Sequence, residues 1–117
     1  MVEITRESRE FDKVEKYLMT VAPGITSLKD VPDGTSITVS GIIEFNDVKE
    51  TTGEASEIVS IITPDKKVYS AQSKTVKRSL SDIEKIMDGE QFTIIKTSGL
   101  TKAGRTFINV ELDTTKL

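Results

Sequence analysis

Ile37 and Val39 alternate with Thr38 and Ser40. That is the two-residue period of a strand with one buried face. The apolar pattern runs on through residues 35–48, TSITVSGIIEFNDV, and predicts one long strand. Gly41 interrupts it, as glycine does at a bulge or a tight bend in a barrel. The polar stretch 49–56 predicts a hairpin loop, and 57–63, EIVSIIT, a second strand. A Pro64-Asp65-Lys66-Lys67 turn leads into a short third strand over 68–71. The period then changes. Val76, Leu80, Ile83 and Met87 form one apolar stripe at helical spacing, and Gly89 stops the helix. Strands over 91–97 and 105–112 follow, joined by the loop SGLTKAG. In the last strand Ile108, Val110 and Leu112 alternate with Phe107, Asn109 and Glu111. At the other end, Phe11, Val14 and Leu18 predict a helix over 6–19, with Thr5 as its N-cap and Pro23-Gly24 as its stop.

Three strands, a helix and two strands are the layout of the OB-fold, a five-stranded β-barrel with its helix between strands 3 and 4. The sequence therefore predicts a mainly β chain; by pattern alone, other small α+β folds share this order of elements. Residues 1–24 are expected to form a helical segment packed on the barrel, and residues 25–117 the barrel itself. In that fold the face of strands 2 and 3 binds oligonucleotides or oligosaccharides. The loops joining strands 1 to 2 and 4 to 5 flank that face.

Composition narrows the chemistry. The 117 residues suit one domain, and 36% hydrophobic with 30% charged residues reads as a soluble globular chain. No apolar run approaches the roughly 18 residues of a membrane span, and the first residues lack a secretory apolar core. The expected location is a cytoplasm. There is no cysteine and no histidine. Disulfides, zinc-thiolate sites, thiol nucleophiles and the usual general base are absent together. Asp82 and Glu84, two apart on a helix, diverge, and Glu54 and Glu57 read as solvated charges. The expectation is a protein that is not an enzyme, with no cofactor, no metal and no catalytic residue.

The net charge of -3 hides an asymmetry. Residues 1–59 carry twelve acids against six Lys/Arg, and residues 60–117 carry seven against ten. A local positive surface on an acidic protein can still dock a polyanion. Single strands need cations for phosphates and flat rings for unstacked bases. Tyr69, Phe45 and Phe107 supply rings near the expected face, although each phenylalanine also fits a core position. Lys66, Lys67, Lys74, Lys96, Lys102 and Arg105 supply charge in the turns, edges and loops around them. Residues 99–106, GLTKAGRT, mimic a phosphate-binding P-loop. Arg105 stands where that loop has lysine, and a strand follows instead of a helix, so a basic hairpin is the better reading.

The segments VPDGTSITVSGIIEF, EIVSIIT, VYSAQSKTV, SDIEKIM and TKAGRTFINVEL resemble the single-stranded DNA-binding proteins of small phages of Gram-positive bacteria, of the phi-twenty-nine type. The resemblance covers roughly residues 25–113; the first twenty residues match poorly. It implies an OB-fold protein that coats displaced strands during phage DNA replication without base specificity. It implies stacking at Phe45 and Tyr69. A family aromatic in the first hairpin loop falls at Thr52 here, a departure that implies either weaker binding or a different stacking platform, Phe107. Single-stranded DNA is the implied partner, with phage replication proteins beside it; a homo-oligomer stays open. The alternative reading is a protein-interaction module of a replication or recombination complex.

Overall fold

The computed structural model describes residues 2–116. Its elements are β1 (Val2–Glu7), α1 (Lys13–Thr20), β2 (Thr26–Ser27), β3 (Ser36–Val39), β4 (Gly41–Val48), β5 (Ala55–Ile62), β6 (Val68–Ala71), α2 (Lys74–Met87), β7 (Phe92–Leu100) and β8 (Thr106–Leu112), with short 3-10 turns at Leu28–Asp30 and Thr114–Lys116. The chain is mainly β, as its alternation predicts. The strands form two sheets, one in the order β1-β4-β5-β6-β2 and one in the order β3-β7-β8. All pairings are antiparallel except β2 with β6. Among the described residues no ladder joins one sheet to the other, so the five-stranded closed barrel is corrected to eight strands in two sheets. The interstrand helix α2 consequently follows the sixth strand, not the third.

The predicted long strand is split at Ser40. Its first half, β3, pairs with β7, and its second half, β4, pairs with β5. Ser40 donates its backbone N–H and its hydroxyl to the Ile62 carbonyl, at 2.8 and 3.1 Å, and so holds the crossover. Gly41 is required there for space. A Cβ at this position would stand 2.5 Å from the Phe11 ring.

Two apolar layers result. Val39, Ile42, Val59, Ile61, Ile94 and Val110 pack with Val76, Leu80 and Ile83 of α2 in the main core. The helix stripe read from sequence is thus the face that α2 buries. The second layer lies under α1 and contains Phe11, Met19, Ile43, Phe45, Ile62 and Val68. Successive side chains of a strand point to opposite faces, so Ile42 serves one layer while Ile43 and Phe45 serve the other. The five-stranded sheet is covered on both sides.

The N-terminus departs from expectation. Residues 2–7, expected to lead into and begin a helix, pair with β4 as a strand, and Thr5 Oγ1 donates to the Glu44 carbonyl at 3.0 Å. The sheet therefore begins well before residue 25. The helix starts at Lys13 because Asp12 and Glu15 form a reciprocal capping box. Its buried residues are Glu15 and Met19, whereas Val14 is 66% exposed. Phe11 is buried ahead of the helix, with the Arg9 guanidinium 4.2 Å above its ring.

Glu15 fixes α1 to the sheet. Arg9 Nη2 donates to its carboxylate at 2.9 Å and Lys66 Nζ, from the β5–β6 turn, at 3.1 Å. The hydrogen bond from Arg9, reinforced by Lys66 and the Asp12 N–H against the opposing effect of burial, lowers its pKa from 4.5 to about 2. The folded value lies below the unfolded one. The stabilisation is therefore full above about 4.5 and disappears as pH falls toward 2. Acid unfolding followed by circular dichroism should show this component in the parent protein. Glu15→Gln should begin less stable and lose that part of the pH dependence.

Candidate nucleic-acid interface

The hairpin joining β7 to β8 closes at Thr101 and Arg105. The Thr101 N–H donates to the Arg105 carbonyl at 2.8 Å, and the Arg105 N–H to Thr101 Oγ1 at 3.1 Å. Gly104 takes φ +81 inside the turn, a conformation that favours glycine. Lys102 and Arg105 are both exposed, and neither reaches a carboxylate among the described residues. Just below, Gly99 is the register partner of Phe107. A Cβ on Gly99 would come 2.8 Å from the Phe107 ring. The missing side chain lets the ring lie across the neighbouring strand, and Phe107 remains 38% exposed.

Phe107 borders a groove of about 630 Å³ that also includes Lys29, Ile58, Ser70, Gln72 and Ser73. One wall is β8, and the other is formed by β5, β6 and the start of α2. The groove combines an exposed ring, an aliphatic floor at Ile58, hydroxyl and amide groups, and a cation. Those are the contacts a flexible, stacked, charged polymer uses. Sequence reasoning named only Phe107 among these residues. Lys29, Gln72 and Ser73 carry no signal that separates them from ordinary surface residues.

Tyr69 stands one residue from this groove. It packs partly on the main core and lines two other depressions. Lys67 lines both with it. Lys67 is exposed and lies 3.9 Å from Asp65, a weak surface pair. The Thr63 hydroxyl, donating to Asp65, holds that carboxyl below the usual range. The β6–β2 ladder separates the two surfaces: Thr26 and Tyr69 border one, while Ser27 and Ser70 border the other.

Two of the sequence-predicted residues are not at a surface. Phe45 is 3% exposed, enclosed in the layer beneath α1, and offers no ring face to a base. Lys96 is 5% exposed. It follows Phe92 and Ile94 on the buried face of β7, and its Nζ donates to Asp33 Oδ1 at 2.8 Å. That hydrogen bond, with a second from Ser98, holds the Asp33 carboxyl below its ordinary range. The Gly34 N–H donates to the Lys96 carbonyl, and the Lys96 N–H to the Thr35 carbonyl. Lys96 thus ties the Pro32-Asp33-Gly34 turn to β7. In salt titrations of oligo-dT binding, Lys102→Ala and Arg105→Ala should each lower the salt slope by about 0.7. Lys96→Met should leave the slope unchanged.

Lys74 lies elsewhere again, on the outer face of α2 beside Arg6, Lys77, Arg78 and Lys85. The predicted set is therefore divided. Phe107, Lys102 and Arg105 belong to one groove and its hairpin, Tyr69 and Lys67 to a neighbouring surface, and Lys74 to the helix.

The family described as Phage Single-stranded DNA-binding protein matches residues 12–113. Among curated proteins, the single-stranded DNA-binding proteins of Bacillus phage phi29 and Bacillus phage PZA are each 29% identical to this chain. Each alignment covers 96% of this chain and 94% of the relative. No solved structure matches. With a family match that runs from α1 through β8, the chain belongs to the phage single-stranded DNA-binding protein family.

Proposed function

We propose that this protein coats single-stranded DNA without base specificity and protects strands displaced during phage DNA replication. The family match over residues 12–113 carries this reading. The groove beside Phe107 supports it with a ring, a hydroxylated wall and Lys29, and the β7–β8 hairpin next to Thr106 adds exposed Lys102 and Arg105. Phe107 is the stacking platform and Tyr69 a second ring on the adjoining surface. Lys102 and Arg105 hold phosphates at one end of the path, Lys74 lies beyond its other side, and Lys67 adds charge on the adjoining surface with Tyr69.

The two sheets fit an opened OB-fold. In that reading β3 and β4 are halves of its first strand, β5, β6, β7 and β8 are the other four, and α2 is the helix between the third and fourth. β1, α1 and β2 are additions. The Phe107 groove then falls where that fold binds oligonucleotides, beside the loop joining its last two strands. The protein is non-enzymatic in this reading and works in the host cytoplasm. There it meets phage replication proteins and neighbouring copies of itself on the DNA.

Titration of poly-dT, poly-U and duplex DNA at one salt concentration tests the reading. The expected result is binding of poly-dT that weakens steeply with salt, with duplex DNA bound far less well. Equal binding of duplex, or no binding of poly-dT at low salt, overturns it.

A further inference from the structure

The outer face of α2 carries charge in a pattern that the groove beside Phe107 does not account for. Lys74, Arg78 and Lys85 follow one another at i, i+4 and i+11, opposite the buried stripe of Val76, Leu80 and Ile83. They line a trough of about 410 Å³ between α2 and β1. Its far wall is Arg6 and Glu44, and Arg6 Nη1 also donates to Glu84 at 2.5 and 2.7 Å. Lys77 pairs with Glu44 at 3.4 Å. Arg6 and Lys77 thus neutralise Glu44 on the far wall, and Arg6 also pairs with Glu84 of α2. Lys74, Arg78 and Lys85 have no carboxylate within ion-pair distance among the described residues, and Asp82 is the one acid left facing them. At 1.5 Å per residue the row is about 16 Å long.

The trough adjoins the Phe107 groove. Ser73 lines the groove and Lys74, the next residue, lines the trough. The side of the groove at Ile58 leads along β5 to a surface unfavourable to a polyanion. Glu50, Glu54 and Glu57 are all exposed on and around the β4–β5 hairpin, and Lys49 is exposed among them. A phosphate backbone leaving the groove is repelled at that hairpin and attracted along the helix.

We infer that bound single-stranded DNA leaves the Phe107 groove across Ser73 and continues along the outer face of α2, with its phosphates on Lys74, Arg78 and Lys85. This rests on the single-strand reading above and adds the direction and extent of the path. A strand long enough to cover both surfaces contacts the helix; one that fills only the groove does not.

The test compares the parent protein with a Lys74→Gln/Arg78→Gln/Lys85→Gln variant. Each binds oligo-dT of about 4 and about 16 nucleotides, the two ends of the range for one such domain. All three side chains project from the exposed face of α2, so the variant should fold, and its thermal unfolding should match the parent's. On the long oligonucleotide the variant's salt slope should be smaller by about 2, that is three contacts at about 0.7 each. On the short one the two proteins should agree. An unchanged slope on the long oligonucleotide overturns the path while leaving single-strand binding intact. An equal loss on both lengths also overturns it, because the cations then act as a diffuse field. If the parent binds neither length, the single-strand reading fails with it.

Discussion

Phe107→Ala is expected to weaken oligo-dT binding by about 1–3 kcal/mol, roughly five- to 150-fold, with little change in folding stability. The ring is 38% exposed and borders the groove of about 630 Å³ between β6 and β8. Its removal takes away stacking area without opening the interior. Gly99→Ala supplies a second arm. A methyl group at Gly99 would stand 2.8 Å from the ring and force it aside while leaving its chemistry intact. Both variants should lose affinity, whereas Phe107→Trp, which keeps a flat ring, should retain most of it. Full binding by Phe107→Ala in a filter or anisotropy assay shifts the stacking role to Tyr69.

The contrast between Phe107 and Lys96 shows how much of this site could be read from sequence. Alternation in the last strand puts Phe107 off the Ile108/Val110/Leu112 stripe, and the structure places it outward. The same rule applies to Lys96. Phe92, Ile94 and Lys96 are two apart in turn, so parity puts the lysine on the buried face of β7. The opposing expectation is that a lysine carries its charge to solvent, which the Asp33 pair makes unnecessary here. Its exposed partner Asp33, 63 positions away, could not be found from sequence spacing. The N-terminus was harder. Val2 and Ile4 alternate with Glu3 and Thr5, but Phe11, Val14 and Leu18 offer a competing helical period. The capping box of Asp12 and Glu15 decides where the helix begins, and the anchoring of Glu15 by Arg9 and Lys66 decides which face it buries. The division of the long strand between two sheets was visible only as Gly41.

Phe45→Ala is expected to behave in the opposite way to Phe107→Ala. It should cost about 3–5 kcal/mol of folding stability, measured by chemical denaturation, because it removes a large side chain from a closed layer. Phe45 is 3% exposed and packs with Phe11, Met19, Ile43, Ile62 and Val68. GIIEF carries bulky residues on both faces of β4, and a strand covered on one side only has no use for that pattern. The cover on the second side is α1. Its presence turns Phe45 from a residue at the expected binding face into part of a second core. Phe45→Leu separates the two roles. It keeps apolar volume while removing the aromatic face, so it should be far milder than Ala in stability, by the tolerance of cores for apolar replacements. Its oligo-dT affinity should equal the parent's. A folded Phe45→Leu protein that binds tenfold more weakly would mean that α1 lifts away and the ring reaches DNA. Affinity retained by Phe45→Leu and lost by Phe107→Ala places the stacking contact in the groove between β6 and β8.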